Sequence, residues 1–337
     1  MTINDIAKLA GTSKSTVSRV LTNNPNVKTA TRERVLDVIH SYQYQPNSLA
    51  RGLTQGAINV VALLLPDIRN PFYSEATWFI EKELLKHGYH MFLCCTDHEP
   101  EKERLFIEMA EQYNFSGILL FSPVNESFLS EYDPSSKCAL VILNRYIDNF
   151  SGDILTSDNF QAGYIAARHL INLGHKKIAI LSGARLYSTH RERHAGFLQA
   201  LNAYSLSLPP EYDLHTDSLT MEEGISFGER LLSLGEHAPT AVFCTTDLLA
   251  MGIMQAYKLH EKQIPEDLSV IGFDNIPFSN LQGISLTTIR QSYDKIATES
   301  VSMLLNRISH HTTDTQRLIL DCDLIIRNST GKPKNDC

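Results

Sequence analysis

"TINDIAKLAGTSKSTVSRVLTNNPNV" occupies residues 2–27. Asp5–Ala10 reads as a short helix. Gly11 stands where a helix end favours positive φ, and Ser13 is placed to cap a second helix over about 14–23. That second helix buries Val17, Val20 and Leu21 and leaves Lys14, Ser15, Ser18 and Arg19 outside. A third helical pattern, about 30–42, aligns Val35, Val38 and Ile39 on one face. Three short helices with a Gly-containing turn after the first describe a helix-turn-helix. In that motif the second helix enters the major groove of DNA, with its N-terminal residues at base edges. Lys14, Ser15, Thr16, Ser18 and Arg19 are the side chains so placed; an arginine can clasp guanine through two hydrogen bonds.

Charge divides the chain at the same point. Residues 1–56 carry seven Lys/Arg against three Asp/Glu, a net of +4, and the remainder carries 23 against 35, a net of −12. A basic head on an acidic body points to a polyanionic partner for the head alone. Between them lies "YQPNSLARGLTQG" (44–56). Pro46 closes what precedes it, and Asn47 can cap a helix reaching Ala50 and Leu53. So short a helix does not hold in water, so this segment is expected to fold against a partner.

In these residues the chain resembles the lactose-repressor/galactose-repressor family of bacterial transcription regulators. The matching residues are Asp5-Ile6-Ala7, Ala10-Gly11, Ser13, Thr16–Val20, Thr31-Arg32, Val35, Tyr44, Pro46-Asn47, Ala50 and Leu53. The resemblance implies a homodimer on a near-palindromic operator in double-stranded DNA. It adds Asn47, Ala50 and Leu53 to the DNA-binding set, with paired hinge helices in the minor groove and Leu53 as the wedge that opens a kink.

The body has a different texture. Apolar runs recur at Val60–Leu65, Met91–Cys95, Gly117–Phe121, Leu140–Leu143, Ile178–Leu181, Ala241–Cys244 and Val270–Phe273. Amphipathic helical stretches separate them at Ala76–His87, Glu101–Tyr113, Gln161–Leu173, Arg193–Tyr204, Glu223–Leu234 and Leu248–His260. Strands apolar on both faces, alternating with helices, mean parallel sheets covered by helices. "LLKHGYHMFLCC" and "LINLGHKKIAIL" look like equivalent pieces of two similar halves. The expected fold is a helical head plus two doubly wound α/β subdomains. Asp67, Asp97, Ser122, Asn144, Ser182, Asp247 and Asp274 stand at or just past strand C-termini, the edge where open parallel sheets bind ligands. Several of them, Asp247 above all, could equally be helix caps. A cleft lined by carboxylates and hydroxyls suits a sugar or a nucleoside.

The resemblance continues through "NPFYSE" (70–75), "SDNFQAG" (157–163), "LGHKKIA" (173–179), "RHAGFLQAL" (193–201), "TTDLLAMGIMQA" (245–256) and "LSVIGFDN" (268–275). It implies the fold of periplasmic sugar-binding proteins, two subdomains joined by three crossings near 157, 287 and 318. The implied division is a headpiece over 1–46, a hinge over 47–56, a core over 57–330 and a tail over 331–337. Within the core, one subdomain takes about 57–157 and 288–317, the other about 158–287 and 318–330. The implied effector site has Phe72 and Tyr73 walling the ligand, Asn144 and Asp158 reaching in, Thr189 and Arg193 donating, Thr246 in the wall and Asp274 accepting from paired hydroxyls. Thr246 and Leu219 depart from the commoner family residues, so the effector cannot be borrowed from a relative.

Other chemistries find little support. "GISFG" (224–228) satisfies the nucleophile-elbow pattern, but Ser226 would lie inside a helix rather than on a strand-to-helix turn. His310-His311 lacks a third metal ligand and reads as loop. No P-loop or Gly-x-Gly-x-x-Gly occurs, so no cofactor is expected. The cysteines Cys94, Cys95, Cys138 and Cys244 read as buried residues in apolar runs, with Cys322 in a C-terminal strand and Cys337 in the tail; no Cys-x-x-Cys spacing occurs. Neither a membrane span nor a signal peptide is read, which makes a cytoplasmic protein the expectation. A sugar-binding receptor without a DNA role, or a nucleoside or glycoside hydrolase, are the alternatives to a ligand-responsive DNA-binding regulator that is not an enzyme.

Overall fold

The computed structural model describes residues 1–21, 24–44, 58–133, 136, 138–310 and 314–334. The chain separates into two units, Met1–Ile58 and Asn59–Cys337.

The first unit holds helices α1 (Ile3–Leu9), α2 (Lys14–Leu21) and α3 (Thr29–Ser41). α1 opens with a capping box: Asp5 N donates to Thr2 Oγ1, and Asp5 Oδ2 accepts from Thr2 N at 2.8 Å. It closes at Gly11, φ +59°, with Gly11 N on Lys8 O and Thr12 N on Ala7 O. That is a Schellman turn, and it redirects the chain into α2. Ile6, Ala7, Ala10, Val17, Val20 and Val35 form the core between the three helices.

The second unit is two six-stranded sheets wrapped by helices. The strands are β1 (Ile58–Leu65), β2 (His90–Cys95), β3 (Phe115–Phe121), β4 (Ala139–Leu143), β5 (Asp153–Ser157), β6 (Ile178–Gly183), β7 (Asp213–Thr216), β8 (Ala241–Cys244), β9 (Ser269–Asp274), β10 (Thr287–Arg290), β11 (Arg317–Leu320) and β12 (Asp323–Ile325). The helices are α4 (Pro71–Lys86), α5 (Pro100–Gln112), α6 (Glu126–Ser130), α7 (Asn159–Asn172), α8 (Ser188–Ala203), α9 (Met221–Ser233), α10 (Asp247–Leu259) and α11 (Tyr293–His310). The sheet orders are β11-β5-β4-β3-β1-β2 and β12-β10-β9-β8-β6-β7. β10 and β12 run antiparallel, and the other registered pairs are parallel. The inner strands β3, β4, β6, β8 and β9 are buried along their whole length, which is why they read as unbroken apolar runs.

The chain passes between the sheets three times. The first passage follows Ser157. The second follows β10, so it lies near 291 rather than 287, and residues 288–290 belong to the second sheet. The third follows β11, near 321 rather than 318, because Leu318–Leu320 pair with β5 of the first sheet. Both shifts have one cause: β10 and β11 are four-residue strands, and partners elsewhere in the chain fix which sheet each joins. The buried ion pair of Arg307 with Asp153, at 2.6 Å, pins α11 beside β5 in the first lobe.

Two readings of local structure need adjustment. Cys322 lies in the connection between β11 and β12, not in a strand. His310 is the last residue of α11, and His311 and Cys337 lie outside the described residues. "GISFG" is indeed helical, inside α9. Its glycines serve packing: a Cβ on Gly224 would stand 2.3 Å from Leu249 O, and one on Gly228 2.5 Å from the Cβ of Ala256. α9 and α10 touch there at backbone distance.

Candidate functional site

On the first unit, α2 presents Lys14, Ser15, Ser18 and Arg19 to solvent, with Thr16 half-exposed, while Val17 and Val20 face the core. Ser13 Oγ accepts from Thr16 N at 3.2 Å and bonds the hydroxyls of Ser15 and Thr16 at 2.8 and 2.9 Å. The start of α2 is therefore a cluster of hydroxyls beside two cations with no acidic residue on the helix. Asn47, Ala50 and Leu53 lie outside the described residues.

In the second unit the chemistry gathers between the sheets, at their C-terminal edges. The first lobe builds one wall. Asn70 caps α4 by accepting from Phe72 N at 3.0 Å, and Pro71 starts the helix. This entry delivers Phe72 and Tyr73 into an aromatic cluster with Phe121; Phe72 also meets Tyr293, with ring centroids 5.8 Å apart. Tyr73 Oη donates to Ser122 Oγ at 2.9 Å, and Asn144 Nδ2 donates to the same oxygen at 2.7 Å. With both lone pairs engaged, the Ser122 hydroxyl keeps its hydrogen for another partner. Ser122 and Asn144 sit just past β3 and β4 with φ +51° and +70°, the left-handed region that side chains enter at functional bends. Buried Glu103 braces this loop, accepting from Val124 N and Asn125 N at 3.0 Å each. Arg145 follows Asn144, with Nη1 on Pro123 O at 3.1 Å and Cζ over the Tyr187 ring at 3.5 Å.

The second lobe builds the facing wall. Arg193, on α8, donates from Nε to Asn159 Oδ1 at 2.8 Å and from Nη1 to Thr245 O at 2.7 Å, and lies 3.4 Å over the Phe273 ring. Asp274, at the end of β9 with φ +107°, accepts from Gln291 Nε2 at 2.8 Å. Asp247 is not the helix cap that its place suggested. Thr246 caps α10, accepting from Leu249 N at 3.3 Å. Fully buried Asp247 turns inward instead, accepting from Thr288 Oγ1 at 2.5 Å and from Ile276 N at 2.9 Å. It thereby fixes the turn that carries Asp274.

Besides the stacking of Arg145 on Tyr187, hydrogen bonds join the walls. Gln291, in the second passage, also accepts from Ser157 Oγ at 2.7 Å. Tyr293 Oη donates to Asp274 O at 3.0 Å. Ser188 Oγ accepts from Tyr146 N at 3.0 Å and donates to Tyr146 O at 3.2 Å. Burial dominates the electrostatics. It pushes the Asp274 carboxyl up to about 7, against the pull of Arg193 and of the Gln291 amide. It drives Asp247 well above the usual carboxylate range, with the nearby Asp274 adding to the rise. It holds His190 well below the usual imidazole value, helped by Arg193 and Arg145.

Of the residues expected around an effector, Phe72, Tyr73, Asn144, Arg193 and Asp274 share this cleft. Thr189 is buried in the first turn of α8, where the described cross-lobe hydrogen bonds belong to its neighbour Ser188. The Thr246 hydroxyl is used as a cap. Asp158 caps α7, accepting from Gln161 N at 2.8 Å, and lies with Tyr146, Glu192 and Arg317 on a separate crevice of about 330 Å³. Leu219 is half-buried against the core. Sequence reasoning passed over Arg145, Gln291 and Tyr293. Ser122, marked only as a strand-end residue, was the available signal for the first wall.

Residues 2–47 match the family described as bacterial regulatory proteins, lacI family, and residues 167–330 match a periplasmic binding protein-like domain. The HTH-type transcriptional repressor PurR of Mannheimia succiniciproducens is 32% identical over 98% of this chain and 99% of its own length. Among solved structures, the complex of the transcriptional regulator CelR with cellobiose superposes with a TM-score of 0.72 at 26% identity, over 98% of this chain and 99% of that one. The Lac repressor dimer bound to operator and the anti-inducer ONPF gives a TM-score of 0.87 with the same coverage; at 23% identity that is a likeness of fold. Identity to a repressor along nearly the whole length settles the kinship: the chain belongs to the lacI family of bacterial regulatory proteins and is a DNA-binding transcriptional regulator, not an enzyme.

Proposed function

We propose that this chain is a repressor whose hold on a near-palindromic operator is set by a small polar effector between its two lobes. One observation carries the reading. Tyr73, Ser122, Asn144 and Arg145 of one lobe and Arg193 and Asp274 of the other converge at the C-terminal edges of two parallel sheets, the place where such sheets take ligands. CelR, a relative by structure, is named as a complex with a sugar, which favours a carbohydrate or a related hydroxylated molecule here.

In this reading residues 1–46 read DNA, 47–56 couple, and the core over 57–330 senses. Lys14, Ser15, Thr16, Ser18 and Arg19 meet base edges and phosphates. Asn47, Ala50 and Leu53 form a hinge helix that opens the minor groove. A symmetric operator requires two copies of the chain. The edge strand β2, with Phe92 and Leu93 exposed, is the apolar edge that this reading offers to the second copy. Effector shifts the lobes because it binds one arrangement better than the other; equal affinity would shift nothing. Ser157, Gln291 and Asp274 link two of the three passages to the ligand wall, so a ligand on Asp274 acts directly at the hinge. Among the described residues no helix is long and apolar enough to cross a membrane, and a DNA-binding role favours a cytoplasmic protein.

The test is selection of duplex sites from a random pool by the full chain, with and without candidate metabolites, followed by binding curves. Arg19→Ala is expected to weaken the selected site by about 1–3 kcal/mol and to relax its base preference. A full-length chain that prefers no duplex over scrambled DNA under any condition would sink the reading.

A further inference from the structure

Two guanidiniums are buried in the cleft, Arg145 at 6% exposure and Arg193 at 3%. Among the described residues, neither is ion-paired with a carboxylate. The same chain shows what pairing looks like: Arg307, also 6% exposed, bonds Asp153 through Nε and Nη2 at 2.6 and 2.7 Å. Arg145 and Arg193 lie instead over the rings of Tyr187 and Phe273, contacts that recover only part of the cost of leaving water. The carboxylates nearby do not balance them. Asp274 faces Arg193, but its Oδ1 is taken by Gln291 and burial pushes it toward the neutral form. Glu103, near Arg145, is committed to two backbone amides. Glu192, near Arg193, is held toward its neutral form by burial.

Hydrogen bonding shows the same imbalance. Among the described residues, Arg145 Nε and Asn144 Oδ1 are buried atoms with no partner, as is His190 Nδ1 on the second lobe. Orphans of this kind are rare, and each calls for a partner such as a water, an ion or a ligand. The first two have opposite needs, since Nε–H requires an acceptor and Oδ1 requires a donor. They belong to consecutive residues at one strand end, beside the Ser122 hydroxyl that still has a hydrogen to give.

We propose that the effector is an acid, a hydroxylated molecule whose carboxylate or phosphate oxygens are received by Arg145 on the Arg193 side of the cleft, and whose hydroxyl donates to Asn144 Oδ1. This rests on the cleft being the effector site. An arginine fork suits both oxyanions. A neutral sugar satisfies the Asn144 oxygen but leaves the charge of two buried guanidiniums uncompensated.

The experiment is thermal unfolding of the full chain in inorganic phosphate against chloride at equal ionic strength, followed by glucose, glucuronate and glucose 6-phosphate. Phosphate is expected to raise the melting temperature saturably where chloride does not. Arg145→Gln is expected to weaken that response by about ten-fold or more, the loss of a charged hydrogen bond, and Arg145→Lys, which keeps the charge without the fork, by less. Should the Gln variant not fold, the Lys variant carries the comparison. Glucuronate above glucose 6-phosphate assigns a carboxylate, and the reverse order a phosphate. Equal curves in phosphate and chloride, or a phosphate response unchanged in the Arg145 variants, would overturn the proposal. If glucose alone stabilises the chain and Asp274→Asn removes that effect, the acid is wrong while the effector cleft stands.

Discussion

On the second lobe, Arg193, Asp247 and Asp274 all end in hydrogen bonds within that lobe or to the passage beside it. On the first lobe, Asn144 Oδ1 and Arg145 Nε end in none, although both residues reach Ser122 or its loop. The folds are alike, two parallel sheets with the site at the same edge, so topology does not produce the difference. Saturation does. A saturated wall is rigid before the ligand arrives and loses little freedom on binding. An unsaturated wall carries a desolvation cost that the ligand relieves. In the proposed reading, a ligand bridging the two gains most of its specific energy on the first lobe and its orientation on the second. In that reading the asymmetry makes the first lobe the responsive wall, because most of the relief is available there.

The heaviest blow to this contrast would come from Arg193→Ala. The substitution leaves Asn159 Oδ1 and Thr245 O without their donor and opens a gap over Phe273. Leaving buried acceptors unpaired costs about 1–3 kcal/mol for each. Urea unfolding measures it directly, and a loss below about 1 kcal/mol would mean that the second wall is not preset.

Asp274 gives the next largest effect, and a signed one. Its folded value of about 7 lies above the ordinary 3.8. The folded chain thus holds a proton that the unfolded chain releases. Stability from this group is complete below about 3.8 and is lost as pH rises through about 7. Asp274→Asn removes the titration, so the variant should gain on the parent by up to a few kcal/mol as the buffer moves from acid to about pH 8. Unfolding midpoints across that range decide it; parallel curves would show that Asp274 does not titrate there.

How far these walls were legible in the sequence follows from how local their causes are. α1, α2 and α3 appear within two residues of their expected ends, because Thr2, Gly11 and Ser13 act on their own neighbours. The inner strands declare themselves by unbroken Val, Ile and Leu. β5 and β10 do not, since they bury threonines instead. Thr156 donates to Asn144 O, and Thr288 to Asp247 forty-one residues away. Gln291 could not be found at all: its partners Ser157 and Asp274 lie 134 and 17 residues off, and only the fold brings them together. Arg193 and Asp274 came through family resemblance, not through spacing. Arg145 was missed although it adjoins Asn144, because an arginine after a strand reads as surface until its burial is known.

The finest test of the comparison lies at Asn144 itself. Asn144→Gly keeps the φ of +70° without strain. It removes one hydrogen bond, to Ser122, and with it one unpartnered buried oxygen. A lost bond of about 1 kcal/mol is then largely offset by the oxygen that no longer has to be desolvated. The expected change in unfolding free energy is therefore about 1 kcal/mol or less, far below that of Arg193→Ala, although both residues are polar and line the same cleft. Effector affinity should move the other way, falling more than stability does, because the deleted oxygen is one that the folded chain leaves for the ligand. A large stability loss at Asn144 with unchanged effector binding would reverse the assignment of the two walls, making the first lobe the preset surface and the second the responsive one.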